Sequence, residues 1–236
     1  MLKLGLALLA LVSFNTLAPR PTTRDAAARA PLASASAADG AGRSNSPAAS
    51  GAPAARFVVD ASKSDFLVRA MAGGALWFKG HDHFVRPRDF AGEVTLTPGA
   101  VAPATLTMSV RSGSLEETRD VFTPQQKQII NKELREIVLQ PDKYPEITFK
   151  STDVRVENSA GGQFRVAVGG DLSLHGVTRH VVIPADVTMA GEELRARGEF
   201  EISRKDFGVP ATSAFHGTVR IRDKLRVIFQ IVARQA

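Results

Sequence analysis

Phe164-Arg165-Val166-Ala167-Val168-Gly169-Gly170-Asp171-Leu172-Ser173-Leu174-His175-Gly176-Val177-Thr178-Arg179 is the stretch on which the fold turns. Phe164, Val166 and Val168 alternate with Arg165 and Ala167. A period of two with one apolar face marks a half-buried strand. His175-Gly176 then reads as a tight hairpin in which Gly176 takes a positive φ. Strands are therefore expected over 163–174 and 177–188, running antiparallel.

The same alternation extends in both directions. Val94 and Leu96 alternate with Glu93, Thr95 and Thr97, and Leu106, Met108 and Val110 with Thr105, Thr107 and Ser109. Toward the C-terminus, Val219 and Ile221, then Val227, Phe229 and Ile231, alternate with their neighbours. Strands are expected over 56–60, 64–72, 75–80, 88–97, 104–111, 146–157, 193–202 and 217–233 as well. Gly73-Gly74, Pro98-Gly99, Asn158 to Gly162 and Ala190-Gly191 supply the turns between them. Short connections between alternating strands make an all-β sandwich or closed barrel. A parallel α/β fold is excluded because its crossover helices are missing.

One segment breaks the pattern. Thr123 can cap a helix, Pro124 suits its first position, and Gln126 completes a capping box. Ile130, Leu134, Ile137 and Val138 then share one face at helical spacing, and Pro141 stops it. A single amphipathic helix over about 123–140 should pack on the sheet or cover one end of a barrel.

The chain has 236 residues, of which 44% are hydrophobic. Cysteine is absent. That removes disulfides, thiolate zinc sites, iron–sulfur clusters and cysteine nucleophiles. The formal charge of +6 is spread thinly. Five of the 30 basic and two of the 24 acidic residues lie before Arg56, leaving 25 against 22 in the remainder. This gives no case for a nucleic-acid partner, which needs clustered Lys and Arg. Met1 and Lys3 precede the apolar run Leu4 to Val12. A spanning helix needs about 20 apolar residues, so this shorter run reads as a secretory signal peptide over residues 1–18. Residues 19–55 are rich in Ala, Ser, Pro, Gly and Arg, with Leu32 their one large apolar side chain, and read as a disordered linker. The folded domain is expected over 56–236.

An eight-stranded closed sheet encloses just enough room for its own side chains or for one small ligand. Alternation and size select Leu106, Met108, Phe149, Phe164, Val166, Leu172, Phe200 and Phe229 as inward-facing positions. They either line a ligand site, in which case the ligand is apolar, or fill the interior. His81-Asp82-His83 is the most chemical-looking cluster, since residues i and i+2 of a strand share a face and could share a metal. Gly80 and Pro87 flank it, and polar loop residues near a barrel mouth are the simpler reading, so no metal site is assigned. His175 reads first as turn architecture. Glu116-Glu117 reads as solvated loop, and Arg195, Arg197, Arg220 and Arg222 as a wet outer face. Trp77 and Phe78 are neighbours, so on a strand one of them would point inward. No Gly-x-Ser-x-Gly elbow, phosphate loop, Gly-x-Gly-x-x-Gly or His-Glu-x-x-His occurs, and no catalytic residue or cofactor is assigned.

Three stretches carry a resemblance. They are Lys143-Tyr144-Pro145-Glu146-Ile147-Thr148-Phe149-Lys150-Ser151-Thr152, Gly170 to Arg179 as quoted above, and Gly198-Glu199-Phe200-Glu201-Ile202-Ser203-Arg204-Lys205-Asp206-Phe207-Gly208-Val209. In this order and spacing they resemble the YceI-like family, over roughly residues 56–233. The stretch Gly74 to Phe84 departs from the family pattern and looks like a divergent branch. The resemblance implies an extended, eight-stranded, lipocalin-like antiparallel β-barrel exported to the periplasm or secreted. It also implies a binding protein, not an enzyme, with a polyisoprenoid or similar long-chain amphiphile in the lumen. It leaves a homodimer open. Two rival readings stand beside it: a metal binder or metal-dependent enzyme built on His81 and His83, and a packed barrel serving as an interaction module without ligand.

Overall fold

The computed structural model describes residues 54–97, 99–214 and 216–236. The leader expected over 1–18 and nearly all of the expected linker lie outside the described residues. Twelve strands share one sheet: β1 (Ala55–Val59), β2 (Asp65–Gly73), β3 (His83–Pro87), β4 (Phe90–Leu96), β5 (Ala104–Arg111), β6 (Leu115–Glu117), β7 (Glu146–Ala160), β8 (Gln163–Leu174), β9 (Val177–Ala190), β10 (Glu193–Ser203), β11 (Ser213–Ala214) and β12 (Val219–Gln235). One helix, α1 (Pro124–Glu133), interrupts them between β6 and β7.

The sheet closes because β1 pairs with β12 as well as with β4. The ring therefore runs β1-β4-β5-β7-β8-β9-β10-β12 and back to β1, eight strands, all antiparallel. The remaining strands extend this ring at one end. β12 is 17 residues long and pairs with β1 at its end (Val59 opposite Ala233) and with β2 along its earlier part (Phe66 opposite Phe229, Gly73 opposite Arg220). So β1 and β2 are one long run, bent where Asp60 captures the N–H and hydroxyl of Ser62. In the same way β3 continues into β4, and β5 continues through the 3-10 turn Ser112–Ser114 into β6. The kinked extensions β2, β3 and β6 form a lip beyond the ring.

One seam in the wall is opened by sequence. β9 pairs with β10 only from Asp186 to Ala190, although both strands run on. Pro184 lies at the edge of this pairing and has no N–H to donate. Its carbonyl approaches Gly198 so closely that a Cβ there would lie 2.3 Å from the oxygen, so only glycine fits. The 3-10 turn Arg204–Phe207 fills the rest of the seam, anchored by the Arg179 Nε–H donating to the Asp206 carbonyl at 3.2 Å. Phe207 and Val209 on this segment are buried in the main core.

The helix begins as its sequence dictates. The Gln126 N–H donates to the Thr123 hydroxyl at 3.3 Å and the Thr123 N–H donates to the Gln126 side chain at 2.8 Å. After Glu133 the helix widens into a π turn, Leu134–Leu139, and ends at Gln140 in the left-handed region. The wider turn rotates the apolar face relative to a uniform 3.6-residue period. Leu139 is buried beside Val85 and Leu115, with Leu134 and Val138 packed around them, whereas Ile137 is exposed. The expected face at Ile130, Leu134, Ile137 and Val138 therefore holds except at Ile137.

Two expectations fail at the lip. No strand forms over 75–80. Gly74 turns the chain at φ +90°, the Leu76 N–H donates to the Thr218 carbonyl, and Trp77–Lys79 is a 3-10 turn. Both Trp77 and Phe78 are exposed; neither points inward. Conversely, β3 and β6 appear where loops were expected. β6 is only three residues long and β3 five, too short for alternation to show.

Candidate functional site

The strands enclose a cavity of about 680 Å3 that reaches from the lip into the ring. Its walls are supplied by the inward faces that alternation picks out. Leu106, Met108, Phe149, Val166, Leu172, Phe200 and Phe229 all line it. Phe164 does not. It lies at the start of β8, beside the Gly161-Gly162 turn and opposite the lining residue Val187, and is partly buried against the main core. Added to the expected set are Ile129 and Ile130 of α1 and Leu134 of the π turn that follows it, a segment that roofs the opening. Phe66 and Phe229 of adjacent strands stand 6.4 Å apart between centroids, and Phe200 packs edge-on against Phe229 at the same distance. The lumen is thus aromatic and aliphatic along its depth, and is not filled by the barrel's own side chains.

Polar groups collect at the mouth. His83, first residue of β3, places Nδ1 2.8 Å from Glu117 Oε2, and the ring donates to the carboxylate. Glu117, expected as solvated loop, has a fully buried side chain. It also accepts from the N–H groups of Phe84 (3.2 Å) and Arg119 (2.8 Å), and its own N–H donates to Asn131 Oδ1 on α1. Burial alone would push the Glu117 carboxyl up. The bonds from His83, Arg119 and Phe84, together with the His83 charge, outweigh burial and hold it below the usual carboxylate range. Asp82 shows the same balance. Burial raises it, but Arg69, at 2.7 Å, and the Ala72 N–H bring it below its ordinary value. Sequence missed this network because β6 is too short to show a pattern, and paired glutamates ordinarily sit in water.

His81 and His83 both contact the Phe122 ring. His83 stacks on it at 5.3 Å between centroids, and His81 meets it edge-on at 5.5 Å. Both line the mouth of the cavity. Among the described residues no group of three His, Cys, Asp or Glu is placed to hold a metal ion. His175 stands apart from the cavity, at φ +52°, with its ring 4.1 Å from that of Tyr144. Burial lowers its pKa, and Lys143 lowers it further. Arg195 and Arg197 do face water, paired with Glu193 and Asp186. Arg220, expected on that same outer face, is exposed and also borders the cavity.

Residues 52–233 match the YceI-like domain. The chain belongs to the YceI-like family. A UPF0312 protein of Vibrio cholerae serotype O1 is 29% identical over 171 residues, covering 69% of this chain and 82% of that protein. Among solved structures, Burkholderia cenocepacia BcnA superposes with a TM-score of 0.57 at 20% identity, covering 74% of this chain and 98% of that one. A polyisoprenoid binding domain from Saccharophagus degradans, implicated in plant cell wall breakdown, superposes with a TM-score of 0.54 at 14% identity, covering 76% and 98%. At these identities the likeness shows the fold.

The YceI-like stretches have a structural logic in this chain. Tyr144 of the first stretch packs on His175 of the second, and a Cβ on Gly176 would lie 2.7 Å from the Tyr144 ring. The two stretches are therefore locked at one turn. The third builds the end of β10 and the plug in the β9–β10 seam, with Gly208 at φ +65° where the chain reverses.

Proposed function

We propose that this YceI-like barrel is an exported carrier, store or scavenger of a long apolar chain, a polyisoprenoid or a similar amphiphile, held in the lumen. The observation that carries the reading is the cavity of about 680 Å3 walled along its depth by apolar side chains. That volume is in the range of small-molecule sites. The Saccharophagus neighbour, named as a polyisoprenoid binding domain, adds support, as does the leader-like start of the chain. The metal reading finds no third ligand beside His81 and His83 among the described residues. A packed interaction module is at odds with a lumen of this size.

Such binding removes hydrocarbon from water and has a simple signature. Each further buried methylene contributes about 0.8 kcal/mol, so affinity should climb about fourfold per carbon and level off once the lumen is full. Titration with linear alcohols of increasing length checks this, alongside native mass spectrometry of protein purified from its host. Affinity independent of chain length, with no lipid co-purifying, would sink the proposal.

A further inference from the structure

The lining of the cavity is not charge-neutral at its mouth. Three cations, Lys79, Arg204 and Arg220, border it, against one carboxylate, Glu133. None of the three cations forms an ion pair within 4 Å among the described residues, and neither does Glu133. Arg204 is the most constrained. It opens the 3-10 turn that plugs the β9–β10 seam, and its Nη1 donates to the Val209 carbonyl at 2.9 Å. Its Nε is shut off from solvent yet has no hydrogen-bond partner. Asp223, close enough in space for the Arg204 charge to help lower its pKa, accepts from the Ser203 hydroxyl at 2.9 Å and the Lys205 N–H at 3.1 Å and makes no ion pair with Arg204 within 4 Å. A buried donor without an acceptor is costly in a folded protein, and a guanidinium on an apolar wall is more so. An oxygen acid supplied by a ligand would satisfy it, because guanidinium donors match carboxylate and phosphate geometry.

We infer that Arg204, assisted by Arg220 and Lys79, forms a head-group site for an acidic oxygen head, phosphate or carboxylate, on the chain held in the lumen. This rests on the reading of the barrel as a carrier of apolar chains and narrows it from any long hydrocarbon to an acidic amphiphile. The cations lie at the mouth and the aromatic wall lies deeper. The tail therefore enters first and the head stays where its charge remains partly hydrated. Lys79 and Arg220 add attraction without fixed geometry. Arg204 supplies the directed donors.

The test separates head from tail. Dissociation constants are measured for geranylgeraniol, geranylgeranyl monophosphate and the C20 fatty acid arachidate, in the parent protein and in Arg204→Met. In the parent, at least one acid should bind about tenfold or more tightly than the alcohol. The phosphate-to-carboxylate ratio then says which source of head group the site favours. In Arg204→Met the acids should fall to within about twofold of the alcohol, while the alcohol keeps its parent affinity, which also reports that the barrel remains folded. Arg220→Met, which gives up no ion pair, should weaken the acids to a lesser degree and leave the alcohol unchanged. Alcohol and acids binding equally in the parent, or an acid preference surviving in both variants, overturns the head-group site while the carrier reading stands. Binding of none of the three ligands overturns the carrier reading and the site with it.

Discussion

The two ends of this barrel are built to opposite rules. At the far end, where β1 closes the ring against β12, Phe57 is 1% exposed, Leu96 3% and Ala233 0%. Each is contributed by a different strand, and the backbone ladder there is unbroken. At the lip, the strands are short and kinked, Trp77 and Phe78 are 55% and 63% exposed, and the deepest side chain is a carboxylate, Glu117. The floor is held by non-directional burial. The mouth has only a small apolar cluster around Leu139 and adds a few directed bonds, His83 to Glu117, the Glu117 N–H to Asn131 and Arg69 to Asp82, with ring contacts around Phe122. On the carrier reading proposed above, a barrel admitting a chain needs one end that cannot come apart and another whose contacts can be exchanged at modest cost. Separating apolar from polar cohesion along the axis achieves that.

The contrast breaks most easily at the floor. Phe57→Ala should cost about 3–5 kcal/mol, because the site is enclosed by several strands and cannot collapse into the space left behind. Denaturant titration reads this directly. A loss no larger than that of a lip substitution would mean that the floor is not the stabilising end.

Glu117→Gln probes the mouth. The amide keeps the size but offers His83 and the two backbone N–H groups only one neutral oxygen where two charged ones stood. The expected cost is about 1–3 kcal/mol, with α1 loosened because Asn131 docks on the same segment. The pH dependence has a definite sign. The folded carboxyl lies below its ordinary value of 4.5, so its contribution is complete above that pH and is lost as pH falls through the lower folded value. Melts of parent and Glu117→Gln should therefore converge in acid and separate above about pH 5. Parallel curves across the range would show that the pairing carries no stability.

How much of this was legible in the sequence follows the same division. Strands such as β7, β8 and β12 repeat their alternation over many residues and have one wet face, so the sequence alone places Phe149, Val166, Leu172 and Phe229 inside. Phe164 shares that alternation and lies opposite Val187, which lines the cavity, yet packs against the core without lining it itself. At the lip, β3 and β6 are too short for a period to emerge, and Glu117 is buried by contacts with residues 33 and 34 positions away, which no local pattern records. The π turn after Glu133 was equally invisible, and Ile137 was misplaced in consequence. The seam between β9 and β10 could have been suspected from Pro184 within an otherwise regular strand.

The smallest effect expected on stability is at the outermost apolar residues. Trp77 and Phe78 pack edge-on against each other at 6.4 Å on a 3-10 turn with no buried residue. Surface substitutions away from such features generally stay within about 0.5 kcal/mol, so Trp77→Ser with Phe78→Ser should leave the denaturation midpoint almost unchanged. The comparison with Phe57→Ala is the informative part. Both changes remove aromatic rings, yet only the ring at the floor gives up burial when it is cut. The cavity next to the turn is lined by Lys79, Gly80 and His81, not by Trp77 or Phe78, so equilibrium affinity for a bound chain should also hold. A destabilisation above about 2 kcal/mol in the double variant would mean that the turn packs against more of the lip than its exposure indicates, and the division between a cohesive floor and a loosely held mouth would have to be redrawn.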